Sequence, residues 1–187
     1  MVANSIRWTT RDLTAIVGHG GWKRYEIIDG KLLATRAPHF GHQKASSNIN
    51  FELEKWSRDT GLGSPVQVPG VVFTPEDAVI PDVVWVSQNT LENGIDESGH
   101  FVIAPELMVE VLSQGEINEM RDKEVKLKLY SIHGIQEYWI VSWRLRKMEI
   151  YRRKENKLQL DSTLFEEDTL SSPLLPGFSV SVSSIFQ

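Results

Sequence analysis

The sequence predicts a single α/β domain with a central mixed β-sheet, and three observations predict it. Apolar runs rich in β-branched residues occur at 79–87, 106–113 and 137–143. A helical segment separates the last two, giving the strand–helix–strand order of a right-handed parallel crossover. The 187 residues, 41% apolar with six Trp and seven Phe, supply one full core rather than two. Residues 1–187 are therefore read as one domain, with additional β-hairpins around the sheet.

Each element has its own local reason. Thr9 or Thr10 caps a short helix to about Val17, which the Gly18-His19-Gly20-Gly21 stretch ends. RYEIIDGKLLAT reads as two strands joined by Asp29-Gly30, a strong hairpin signal. From His42 to about Thr60, Ala45, Ile49, Leu53 and Trp56 recur on one helical face, and Gly61 suits the C-terminal cap. Residues 64–73 and 79–87 are β-rich, and VIPDVVWVS has the composition of a central strand. SQNTLENGIDESGH is polar and reads as an exposed loop. PELMVEVLS is the next strand, and a helix follows from roughly Glu116 to His133, ended by Gly134. IQEYWIVSW is a third apolar strand. KMEIYRRKENKLQLDSTLF reads as a hairpin turning at Glu155-Asn156, and the tail SSPLLPGFSVSVSSIF as irregular with room for one short strand. No repeat or linker interrupts the chain.

Composition narrows the function classes. With no Cys, disulfides, thiolate metal sites and cysteine nucleophiles are excluded. The N-terminus lacks an apolar signal core and no apolar run reaches membrane length, so a soluble cytoplasmic protein with no membrane partner is expected. The net charge of -5 is unlike that of most nucleic-acid binders. Arg144, Arg146, Lys147, Arg152, Arg153 and Lys154 do gather positive charge locally, and read first as a solvated hairpin edge.

Within PELMVEVLS, Glu110 interrupts an unbroken apolar run. A carboxylate in an apolar interior must be protonated, paired or bound to a metal. Asp82 opens another apolar strand. Lys126, on the following helix, falls at the border of a core stripe marked by Val125, Leu129 and Ile132, with Asp122 one turn earlier. Two acids from neighbouring strands suit a hard cation such as Mg²⁺, and an ammonium beside them can orient water or offset growing negative charge. That is the equipment of phosphodiester hydrolysis. A structural Glu110–Lys126 ion pair is the competing reading, against which stands the modest stability that buried pairs bring over apolar packing.

The order Tyr25-Glu26-x-Ile28-Asp29-Gly30-x-Leu32, a His-led helix, Pro81-Asp82-Val83 and Pro105-Glu106-Leu107-x-Val109-Glu110-Val111-Leu112-Ser113 resembles the bacterial Uma-type restriction-endonuclease family. The continuation Arg121-Asp122, Lys126, Tyr130, Gly134-Ile135-x-Glu137-Tyr138-Trp139 and the closing Pro173-x-Leu175-Pro176-Gly177-Phe178 are similar too, so the likeness spans about residues 22–180. It implies a restriction-endonuclease-like core of the PD-(D/E)xK kind, a sheet flanked by helices, using Mg²⁺ or Mn²⁺. Carried over by residue, Asp82 and Glu110 are the two metal-binding acids. Leu112 stands where the strand motif has lysine, and Lys126 on the helix takes that role. By the same resemblance Glu26 is an additional metal or water ligand or else an exposed hairpin acid. His42 is a structural residue or one near the cleft, and Asp122 a support for Lys126 through their i, i+4 spacing. The leading expectation is an endonuclease that cuts DNA, as a homodimer if it cuts both strands. A binding or regulatory protein that keeps the fold without turnover is the alternative. A glycoside hydrolase with paired carboxylates ranks last.

Overall fold

The computed structural model describes residues 6–16 and 23–187, so the glycine-rich stop expected at 18–21 lies outside the described residues. Thr9 precedes α1 (Thr10–Ile16), and the Asp12 carboxylate accepts from the Thr9 N–H and hydroxyl at 2.8 Å. β1 (Arg24–Ile28) and β2 (Lys31–Thr35) form the expected hairpin, with Asp29 and Gly30 at φ 52° and 68°. Two positive φ values are what a two-residue turn of matching twist requires. His39 caps α2 (Phe40–Thr60) and Gly61 closes it in the left-handed conformation. β3 (Gly63–Gln67), β4 (Val71–Thr74), β5 (Asp77–Val79) and β6 (Val83–Ser87) lead to α3 (Gln88–Asn93) and β7 (Leu107–Val111). α4 (Glu116–Met120), a π-helical segment (Arg121–Lys126) and α5 (Leu127–Ile132) run on without a break. β8 (Glu137–Ser142), β9 (Lys147–Lys154), β10 (Lys157–Phe165), β11 (Thr169–Ser172), β12 (Leu175–Ser181) and α6 (Val182–Ile185) complete the chain.

The central sheet has six strands in the order β10-β9-β8-β7-β6-β3. Only β7 and β8 are parallel, joined across the α4–α5 helix, and the three apolar runs are neighbours as expected. A second, four-stranded sheet has the order β2-β1-β5-β4, and β11 pairs with β12 alone.

Strand alternation sorts the core into two layers. Odd-numbered Val83, Trp85, Leu107, Val109, Val111, Trp139 and Val141 pack with Ala45, Ile49 and Leu53 of α2, with the β12 residues Leu175 and Phe178, and with Val182 and Ile185 of α6. Even-numbered Val84, Val86, Met108, Tyr138 and Ile140 pack instead with Leu129 and Tyr130 of α5 and with Ile28, Val71 and Val79 of the smaller sheet. Parity therefore decides where Glu110 points. It lies in the second layer, under the α4–α5 helix and the β1 hairpin.

Five expectations are corrected. Residues 79–87 are not one strand, because Pro81 offers no N–H to a ladder and the chain changes sheets there, from β5 to β6. The polar 87–100 stretch holds α3, whose first turn is capped by the Ser87 hydroxyl. The tail forms β11, β12 and α6 rather than one short strand. On the crossover helix, Val125 and Ile132 are exposed, whereas Asp122, Lys126 and Tyr130 are buried with Leu129. The π-helical segment bonds i to i+5, which shifts the phase that a uniform 100° step assumes. The basic run is also more than a solvated edge. Arg152 pairs with Glu137 and Asp161, and Arg153 donates to the Ser131 and Ile135 carbonyls.

Candidate active site

Register brings the two predicted acids together. β6 and β7 pair antiparallel with Val83 opposite Val109 and Val84 opposite Met108, so one further step sets Asp82 beside Glu110 on the same face. The Val111 N–H donates to Asp82 Oδ2 at 2.8 Å, and His42 Nε2, from the first turns of α2, lies 3.1 Å from that oxygen. Burial alone would raise the Asp82 pKa. His42, the Val111 N–H and Lys126 outweigh it, and the carboxyl stays below its ordinary value. Oδ2 is thus held twice, while Oδ1 has the Arg24 guanidinium at 3.7 Å.

Glu110 meets the lysine directly. The Lys126 ammonium is 2.8 Å from Glu110 Oε1, 2.9 Å from Glu26 Oε1 and 4.0 Å from Asp122 Oδ1. Tyr130 donates its hydroxyl to the same Glu110 oxygen at 2.8 Å, and the Ile80 N–H donates to Glu26 Oε1 at 2.9 Å. Arg121 holds Asp122 through Nε at 2.9 Å, and Tyr138 donates to the Asp122 carbonyl at 2.9 Å, tying the π-helical turn to β8. Asp82, Glu110, Lys126, Glu26 and His42 all line one cleft of about 30 Å³. Asp122 sits behind Lys126 and does not line it. Glu26 is buried, which removes the exposed-hairpin reading of that acid. A groove of about 810 Å³ lies between the β1–β2 hairpin and the α4–α5 helix, but it reaches only Arg121 of this cluster.

The charges do not balance. Glu26, Asp82, Glu110 and Asp122 are all buried, against the buried ammonium of Lys126 and the mostly buried guanidinium of Arg121. Burial pushes Glu110 up to about 8 in spite of Lys126, with Asp122, Asp82 and Glu26 adding to the rise. Burial also raises Asp122. It works against the Lys126 ammonium, yet Glu110, Glu26 and Asp122 hold that group protonated above its usual range. A proton or a hard cation relieves the surplus. The donor set fits such a cation in kind, since Asp82 Oδ1 and Glu110 Oε2 accept no hydrogen bond among the described residues and belong to one cleft.

Sequence reasoning assigned no role to Tyr130, Arg121 or Arg24. The first was within reach, because Asp122, Lys126 and Tyr130 are spaced by four and share one face.

A mixed sheet whose adjoining strands bring two acids to a lysine of the crossover helix belongs to the nuclease-like α/β folds. The chain belongs to the Uma2 family, described as "Putative restriction endonuclease", whose model matches residues 12–183. Among solved structures it is similar to a protein from Anabaena variabilis described as a "putative nuclease belonging to DUF820", with a TM-score of 0.68 over 87% of this chain and 89% of that one. At 18% identity that likeness is one of fold. No curated protein matches the chain.

Proposed function

We propose that the chain is a divalent-cation-dependent endonuclease that hydrolyses DNA phosphodiester bonds. The observation that supports this is the convergence of Asp82, Glu110 and Lys126, from β6's leading edge, β7 and the crossover helix, on one cleft. Asp82 Oδ1 and Glu110 Oε2 are the oxygens that would hold Mg²⁺ or Mn²⁺. The cation, when bound, supplies Lewis-acid polarisation of a phosphoryl oxygen and lowers the pKa of water. His42 and the Val111 N–H hold Asp82 in place, and Tyr130 orients Glu110. Lys126 offsets negative charge developing on the phosphate or holds the attacking water. The proposal includes a homodimer, as two-strand cutting favours, and a cytoplasmic setting. No helix among the described residues is long and apolar enough to cross a membrane.

The test is cleavage of DNA and RNA by purified protein with Mg²⁺ or Mn²⁺, and its loss on chelation. Glu110→Gln should lower cutting by orders of magnitude, since the charge that holds the cation is gone. Lys126→Ala should slow cutting while Mn²⁺ still stabilises the fold. Undiminished cutting by both variants would assign the activity to another site or to a contaminant.

One observation favours a second reading, a binding or regulatory protein without turnover. The Lys126 ammonium lies 2.9 Å from Glu26 and 2.8 Å from Glu110, so it already offsets the charge that a cation would otherwise meet there. Nucleic acid bound but never cut, with any divalent ion, would establish that reading.

A further inference from the structure

The arginines that line the cleft are not equivalent. Arg121 is committed to Asp122, through Nε at 2.9 Å and Nη2 at 3.4 Å. Arg24 is not. Its guanidinium is 3.7 Å from Asp82 Oδ1, beyond hydrogen-bond distance, and it makes no hydrogen bond among the described residues. Its side chain is 30% exposed, so it stands at the mouth rather than in the floor. Arg36 is exposed, lines the same cleft, and follows Thr35, which pairs with Arg24 across the β1–β2 hairpin. The hairpin thus sets two guanidiniums at the rim of an acidic pocket.

Stability does not account for this arrangement. A loose ion pair with one partly exposed partner contributes little to stability. The planar guanidinium fork is, however, a strong donor for phosphate, and it is most useful where no protein acceptor already occupies it. We infer that Arg24, with Arg36 beside it, forms the subsite that grips a non-bridging oxygen of a nucleic-acid backbone phosphate. This rests on the nuclease reading and adds the group that holds the substrate. A second consequence follows from the 3.7 Å contact: Arg24 and a divalent cation compete for the field of Asp82 Oδ1.

The experiment measures fluorescence anisotropy of labelled duplex DNA with wild type, Arg24→Ala, Arg24→Lys, Arg36→Ala and Arg58→Ala, in EDTA and in Ca²⁺ over a range of salt. Mn²⁺ titrations followed by thermal melting run in parallel. Arg58, paired with Glu54 on α2, controls for loss of one surface charge. Arg24→Ala should bind DNA at least tenfold more weakly, with a salt slope lower by about one. It should also respond to lower Mn²⁺ than wild type, a gain that a purely structural loss would not produce. Arg24→Lys keeps the charge but not the fork, so it should recover part of the affinity with an unchanged salt slope. Arg36→Ala should lose less, and Arg58→Ala should stay within twofold. DNA affinity within twofold of wild type for Arg24→Ala overturns the inference, as does an equal loss in Arg58→Ala or no DNA binding by wild type. Should Arg24→Ala fail to fold, Arg24→Lys decides, and its binding as tightly as wild type overturns the subsite. Arg24-dependent binding with no cutting under any ion would sink the nuclease reading and leave the subsite standing. Cutting with Arg24-independent binding would do the reverse.

Discussion

Glu110 is where folding and chemistry make opposite demands. Its folded pKa is raised, so its contribution to stability is fully present below the ordinary carboxyl value and is lost as pH rises through about 8. In EDTA, wild type should lose melting temperature between roughly pH 5 and 8, while Glu110→Gln, with nothing to titrate there, should hold a flatter curve. Parallel curves would refute this. Asp82 works the other way, being depressed, and its share is lost as pH falls below its ordinary range. Tyr130→Phe removes one donor to the Glu110 carboxylate and should cost about 1–2 kcal/mol in urea unfolding. An unchanged midpoint would mean that the hydroxyl is better satisfied elsewhere. Glu110 was legible in the sequence because a carboxylate inside an apolar run has few harmless explanations. Arg24 was not, since an arginine opening a strand is common and only the fold puts it above Asp82.

At the scale of elements, the sequence was readable wherever local chemistry acts alone. The Asp29-Gly30 turn, the Gly61 cap and the Glu155-Asn156 turn all fall as read. It misled where a long-range partner decides. Val125 and Ile132 look like core positions, but the wide turn brings Asp122 and Lys126 inward instead, where Glu26 and Glu110 attract the Lys126 ammonium and Arg121 holds Asp122. The separate fates of β5 and β6 likewise depend on which sheet each one meets. Close packing at the far edge gives an independent check of the sheet. A Cβ on Gly63 would lie 2.1 Å from the Val86 carbonyl oxygen, a backbone atom that cannot swing aside. Gly63→Ala should therefore loosen the β3–β6 pairing and cost about 1–3 kcal/mol, read as faster hydrogen exchange along β3. Exchange as slow as in wild type would show that the edge adapts.

For the whole molecule, a ligand that binds only the folded chain must raise its melting temperature. At about a hundred times its dissociation constant, Mn²⁺ should add on the order of 2.7 kcal/mol to wild type and much less to Glu110→Gln. Equal shifts in both would place the ion elsewhere. Binding also exchanges ions: a cation that takes the Glu110 carboxylate should displace its proton, so metal binding near neutral pH should release acid to the buffer. Calorimetry in buffers of different ionisation enthalpy reads that number, and zero protons released would contradict a raised Glu110.

The parallel pairing of β7 with β8 also sets the order in which the molecule can assemble. β7, the crossover helix, β8 and β9 are contiguous in the chain and bury much of their surface against one another. They can therefore condense as one contiguous unit, with only the crossover helix to close between the paired strands. Glu26, His42 and Asp82 arrive from the preceding half of the chain, and the cleft exists only once both halves have docked. On a ribosome, the β1–β2 hairpin and α2 emerge before the partner surface they pack on, which is synthesised later. The cleft closes only after the strand bearing Glu110 and the helix bearing Lys126 have left the exit tunnel. Kinetically, substitutions at Leu107 or Ile140 should slow folding, whereas Glu26→Gln should chiefly hasten unfolding.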